Sequence, residues 1–127
     1  MLKHVMQYIK GTTDLGLRFK QTPSLTLIGY ADADWATAAD RRSTTGYCFL
    51  MTEDGPAISW NTKRQASTAL STCEAEYMAL SAATQEAVYL ARIFTSFMNI
   101  ESEVTVKMFC DNQGAIALTK NPIKHGR

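Results

Sequence analysis

The sequence predicts an α/β domain, a mixed sheet packed by helices, and three observations carry that prediction. After Pro23, SLTLIGYADADW reads as a strand with apolar residues on both faces, as in the middle of a sheet. GYCFLM and AISW flank Glu53-Asp54-Gly55-Pro56, whose Asp-Gly step signals a hairpin of two antiparallel strands. The run from Ser71 to Met98 lacks Gly and Pro and carries apolar residues at helical spacing, and it leads into a further alternating stretch, EVTVKMFC. The first strand and this last one can pair in parallel through a right-handed crossover. Three antiparallel strands followed by parallel pairing is the expected sheet.

Length and composition bound the rest. The 127 residues fit one domain, and 46% hydrophobic with 20% charged residues is ordinary for a globular protein. Thirteen Lys and Arg against twelve Asp and Glu leave +1, so bulk charge announces no nucleic-acid binder and any such role needs local clustering. Cys48, Cys73 and Cys110 are far apart and form no Cys-x-x-Cys pair, which favours buried thiols in a reducing compartment over disulfide or zinc chemistry. No window approaches a membrane span and the first residues lack an apolar leader core, so no membrane role and an intracellular location are expected.

In chain order, Leu2, Val5, Met6 and Ile9 recur at helical spacing before Gly11, which predicts a short helix. Leu15 to Phe19 alternates and reads as a weak edge strand. In the strand after Pro23, Thr26, Ile28, Tyr30, Asp32 and Asp34 share a face, so two carboxylates lie on one side near its end, unless Asp32 and Asp34 simply begin a loop. A polar loop then carries Arg41 and Arg42. Between the hairpin and the long helix, NTKRQASTAL sets Lys63 and Arg64 among hydroxyls and amides, a composition that suits phosphate contact or a solvated linker equally.

The long helix starts on a capping box, Ser71 with Glu74 three residues on. Leu80, Ala83, Ala87, Leu90, Phe94 and Phe97 draw one apolar stripe, and Glu76 extends it toward the N-terminus. Glu74 is rotated about 200° away. Glu76 is therefore the glutamate aimed at the core edge, either as a functional group or as an acid rimming the positive end of a helix. EVTVKMFC ends at Asp111 and Asn112, Gly114 to Thr119 can form a short helix closed by Asn121-Pro122, and the tail IKHGR is basic and includes His125. If the two parallel strands are neighbours, Asp32, Glu76 and Asp111 converge. Such a cluster needs neutralising, and hard oxygen ligands with open positions suit Mg²⁺ or Mn²⁺ and two-metal phosphodiester hydrolysis.

YADADW, RRSTTGYCFLM, ISWNTKRQ, STCEAEYMAL and CDNQGAIAL, in this order, resemble the ribonuclease H domain of copia-type retrotransposon Pol polyproteins, and the likeness runs from about Met1 to the last residue. The resemblance implies an RNase H-like fold and an endonuclease that cuts the RNA strand of RNA–DNA hybrids, with two Mg²⁺ or Mn²⁺ ions, during reverse transcription. Carried over position by position, Asp32, Glu76 and Asp111 are the catalytic and metal-binding acids. Asp34, Ser71, Thr72 and Asn112 are the implied substrate contacts. The implied division is 1–20 as a connecting helix and short edge strand from the polymerase junction and 21–127 as the RNase H-like domain. Implied partners are the hybrid and the reverse transcriptase domain of the same polyprotein, in a cytoplasmic virus-like particle or the nucleus.

Relatives continue past the HGR equivalent with a Lys-His-Ile-Asp segment whose acid is a fourth ligand, whereas this chain stops at Arg127. The expectation is a C-terminally truncated domain with reduced or absent cleavage. The alternative function is a catalytically weak or silent RNase H-like fragment that binds nucleic acid or protein. Another enzyme on this fold, an integrase or resolvase, is disfavoured by YADADW and EAEYMAL.

Overall fold

The computed structural model describes residues 2–21, 25–35, 41–98 and 104–121. Its elements are α1 (Leu2–Gly11), β1 (Thr26–Asp34), β2 (Thr44–Leu50), β3 (Ala57–Arg64), α2 (Thr72–Phe97), β4 (Thr105–Phe109) and α3 (Gln113–Lys120). The four strands form one sheet in the order β3-β2-β1-β4. β1 pairs antiparallel with β2, β2 antiparallel with β3, and β1 parallel with β4. This is the mixed, RNase H-like arrangement expected, with β1 inside the sheet and α2 as the crossover. Pro23, residues 36–40 and the tail with His125 lie outside the described residues.

The core is the layer between α2 and one face of the sheet. Leu27 and Ala31 of β1, Phe49 of β2, Leu80, Ala83, Ala87 and Leu90 of α2, and Val104 form one buried cluster. Ala75, Ala79, Ala83 and Ala87 recur every four residues along α2 and are all buried, so small side chains let the helix settle close on the strands. Gly29 makes room inside β1 for side chains of the neighbouring strands. A Cβ there would stand 2.5 Å from both Met108 Sδ and Phe49 Cε1, so those side chains would have to shift to accept one. The opposite sheet face carries exposed Tyr30, Trp60 and Phe109, with Tyr30 and Phe109 stacked at 5.3 Å between centroids.

Several expectations are corrected by the structure. Leu15 to Phe19 forms no strand, and these residues are exposed; a short, Gly-containing segment gains too little from one edge to be held there. α1 forms as its periodicity predicts, but its residues are all exposed and it packs on no other described element. Phe97 leaves the α2 stripe at 88% exposure, while Phe94 still packs on the core. The hairpin loop spans six residues, 51–56, with Gly55 N–H donating to Thr52 O at 3.0 Å; Gly55 closes that turn without positive φ and not as half of a two-residue Asp-Gly turn. β3 continues through Asn61 to Arg64, so Lys63 and Arg64 stand on a strand and not in a linker.

Candidate metal centre

The carboxyl ends of β1 and β4 and the first turns of α2 meet at one end of the sheet. Parallel register sets Tyr30 opposite Phe109, so Asp32 and Asp111 each lie two residues beyond that pair on neighbouring strands. Asp32, Cys110 and Asp111 line one groove together with Tyr30, Ala31 and Phe109. Glu76 approaches from α2, just beyond its N-cap.

Local bonds fix this meeting point. Ser71 Oγ accepts the Glu74 N–H at 3.1 Å as the helix N-cap, and Glu74 Oε2 accepts the Leu70 N–H at 2.6 Å. The capping box therefore forms, with its return bond one residue earlier than the cap itself. Trp35 Nε1 donates to Ala69 O at 3.4 Å, tying the end of β1 to the approach to α2. Gln65 Nε2 donates to Ala75 O at 2.9 Å and to Thr45 Oγ1 at 3.0 Å, tying the end of β3 to the same turn. Asn112 Oδ1 accepts the Ala115 N–H at 2.9 Å and caps α3, so the chain turns sharply just after Asp111. A Cβ on Gly114 would come 2.9 Å from Cys73 Sγ, which brings α3 hard against the start of α2.

Glu76, Cys110 and Asp111 each offer a ligand atom, and these atoms lie within 4.8 Å of one another. Glu76 is 7% exposed, Asp111 is exposed and Cys110 is half-buried. Cys110 Sγ is 4.0 Å from Glu76 Oε2. Burial raises the Glu76 carboxyl above its usual range, a hydrogen bond from the Ala33 backbone N–H pulls it down, and the charges of Asp32 and Asp111 push it up again. Burial also raises the Cys110 thiol, the Asn112 backbone N–H opposes this, and Glu76, Asp111 and Asp32 add to the rise. Both shifts have one origin, a half-enclosed site crowded with negative charge.

Two carboxylates with an open side fit a divalent cation, for which they would supply hard oxygen ligands. The thiol adds a softer donor and weights the set toward Mn²⁺ or later metals over Mg²⁺. Among the described residues this is one cluster that could hold a metal ion, where two ions are expected of the complete domain. Asp32 stands outside the tight trio, although its charge reaches Glu76 and it lines the groove beside Asp111.

Of the residues singled out as substrate contacts, Ser71 and Asn112 have side-chain oxygens engaged as helix caps, Thr72 is the exposed first residue of α2, and Asp34 is exposed at the end of β1. Cys110 was missed as a member of the site. A buried-thiol reading put it in the core, and the available signal was its place directly before the strand-end acid. None of the three cysteines is disulfide-bonded, and all three are half-buried. Among the described residues no helix is long and apolar enough to cross a membrane.

No family model matches the chain, and no solved structure matches it. Among curated proteins it is 50% identical over 90 residues to "Secreted RxLR effector protein 161" of Plasmopara viticola, covering 70% of this chain and 62% of that protein. It is 42% identical over 127 residues to "Retrovirus-related Pol polyprotein from transposon TNT 1-94" of Nicotiana tabacum, covering 99% of this chain and 9% of the polyprotein. With "Retrovirus-related Pol polyprotein from transposon RE2" of Arabidopsis thaliana it shares 35% identity over 127 residues, covering 99% of this chain and 8% of that protein. The chain thus spans 62% of the effector and less than a tenth of either polyprotein. Over nearly its full length it is homologous to a segment of copia-type retrotransposon Pol polyproteins, and its fold is RNase H-like.

Proposed function

We propose that this chain is an RNase H-like domain of a retrotransposon polyprotein that binds RNA–DNA hybrids at the acid-bearing end of its sheet and cleaves them weakly or not at all. The observation that carries this reading is Glu76, a carboxylate 7% exposed whose ligand atom lies within 4.8 Å of those of Cys110 and Asp111, two residues that line the groove. A packed protein gains nothing from such an acid, and a divalent cation offsets its cost. Glu76 and Asp111 would hold the ion, with Asp32 facing the same groove. A cation held there would supply charge neutralisation for a phosphodiester oxygen and would acidify a bound water. With one ion the arrangement favours binding over turnover, because the two-ion clamp on attacking and leaving oxygens is incomplete.

In this reading the hybrid is recognised by shape, through 2′-hydroxyls and backbone, and not by base sequence. Ser71, Thr72 and Asn112 would contact the substrate backbone, with Asp34 close in sequence to Asp32. Residues 1–20 are the connection to a reverse transcriptase domain, 21–127 are the hybrid-binding domain, and the complex works in a cytoplasmic particle or the nucleus.

The test is a hybrid binding and cleavage assay in Mg²⁺ and in Mn²⁺, on the native chain and on Asp32→Asn. Expected are salt-dependent hybrid binding, slow cleavage that is stronger in Mn²⁺, and loss of that residual cleavage in Asp32→Asn. Rapid multiple-turnover cleavage would replace this reading with that of a full two-metal endonuclease. No binding to hybrid in either metal would overturn it.

A further inference from the structure

A second concave feature lies on the far flank of α2, along the edge strand β3. This cleft, about 380 Å³, is floored by Thr45 and Tyr47 of β2 and walled by Asn61, Lys63 and Gln65 on one side and Met78, Ala82 and Gln85 of α2 on the other. Lys63 is exposed at its mouth, and Arg64 also lines it. The acid among its lining residues, Glu86, is engaged at the other end, where Ser59 Oγ donates to its Oε1 at 2.6 Å. From Ser59 to Lys63 the strand advances roughly 13 Å, so the basic end is distinct from the acidic one.

Sheet register ties the basic end to the metal centre. Lys63 is opposite Thr45, and Thr45 is opposite Ala33, whose backbone N–H bonds Glu76. Two strand spacings, roughly 10 Å, therefore separate Lys63 from the strand that ends in the acid groove. On a nucleic-acid strand that distance covers about three phosphates at roughly 3.4 Å of helix axis each. Beneath the cleft, Gln65 is 6% exposed and its orientation is set by Nε2 donating to Ala75 O, which leaves Oε1 without a donor among the described residues. A buried carbonyl oxygen in that state wants a hydroxyl or amino donor close by.

We propose that this cleft holds the sugar–phosphate backbone of a nucleic-acid strand, with Lys63 pairing a phosphate about three nucleotides from the Asp32 end of the acid groove and Asn61 and Gln85 donating to phosphate or ribose oxygens. It extends the hybrid-binding reading above from the acid groove to a second contact on the same substrate. An acidic centre cannot by itself attract a polyanion, and a basic track at this distance supplies the attraction that the cation supplies at the centre.

The test measures affinity for an RNA–DNA hybrid, a single-stranded RNA and a single-stranded DNA of equal length, across a salt series in Mn²⁺, for the native chain, Lys63→Ala, Lys63→Glu and Lys10→Ala. Lys10 is exposed on α1, which packs on no other described element, and controls for bulk charge. The Mn²⁺-induced thermal shift reports whether the metal centre and fold remain intact. Expected is binding weakened several-fold by Lys63→Ala and further by Lys63→Glu, with the slope of log K against log salt reduced by about 0.9 and the Mn²⁺ shift kept. Unchanged affinity in Lys63→Ala, or an equal loss in Lys10→Ala, overturns the cleft while leaving hybrid binding in place. Lys63-dependent binding of single strands without hybrid binding keeps the cleft and overturns the hybrid reading. Binding of none of the three polymers overturns both.

Discussion

Replacing Glu76 by Gln keeps the size of the side chain and the bond from the Ala33 N–H while removing one charge from the crowded site. Glu76 and Asp111 ligand atoms lie within 4.8 Å, where two unit charges repel by about 0.9 kcal/mol at the dielectric of water and about 3.5 kcal/mol at an effective value of 20. Asp111 is exposed, so the lower end governs, and about 1 kcal/mol of net stabilisation is expected at pH 7.5. That corresponds to a Tm gain of about 3–5 °C for a domain of this size. The sign with pH follows from the direction of the shift. Burial raises the folded pKa of Glu76 above its ordinary value, so between the two values the folded state holds the extra proton and stability falls as pH rises. The destabilisation is absent below the ordinary value and complete above the folded one. The native-minus-E76Q difference in Tm, measured by thermal denaturation without metal, should be near zero at pH 4 and turn negative toward pH 7.5. Addition of Mn²⁺ at tenfold its Kd should stabilise the native chain by about 1.4 kcal/mol and leave E76Q unmoved. A native chain more stable than E76Q at pH 7.5 without metal, or an equal Mn²⁺ shift in both, would refute the claim that Glu76 is a cation ligand.

Cys110→Ala should leave Mn²⁺ affinity within a few-fold but lower Cd²⁺ affinity about tenfold or more, measured by calorimetry, because only the soft ion depends on sulfur. Without metal, Cys110 should alkylate more slowly than free cysteine at pH 8, since burial and the neighbouring acids hold its thiol up. Gly29→Ala should cost about 1–3 kcal/mol in urea unfolding through overpacking against Met108 and Phe49. Ser71→Ala should cost about 1 kcal/mol as a lost cap; hybrid affinity measured on the same protein separates capping from substrate contact.

The order of elements, the parallel pairing of β1 with β4 and the bounds of α2 were legible because each rests on local signals. Those signals are the alternation, a capping box at Ser71 and an unbroken helical period. Facing was legible too. The stripe argument chose Glu76 over Glu74, and Glu76 is buried while Glu74 is exposed and spent on the cap. What the period cannot report is the extent of the partner surface. Phe97 fits the stripe of α2 but is exposed, and α1 has an apolar face that meets no described element. Cys110 was misjudged for a related reason. Composition treats a thiol as a small apolar group, and only the meeting of β4 with α2 sets its sulfur 4.0 Å from Glu76 Oε2.

The bonds that bring the start of α2 onto the sheet end also shape both surfaces beside it. Gln65 anchors Ala75, next to Glu76, and lines the basic cleft; Ala33 bonds Glu76 and shares a cross-strand row with Lys63. Shifting α2 by one turn would therefore disturb the acid groove and the cleft together. Such coupling makes the acid cluster hard to relax, since moving Glu76 outward to water would break the Ala33 bond and disturb the Ala75 packing that depends on Gln65. A site built this way resists the local adjustment that would otherwise relieve its charge repulsion, which is the arrangement the proposed cation binding needs. Stability and ligand affinity should then run in opposite directions across substitutions at Asp32, Glu76 and Asp111. A packing residue such as Gly29 should instead lose both together.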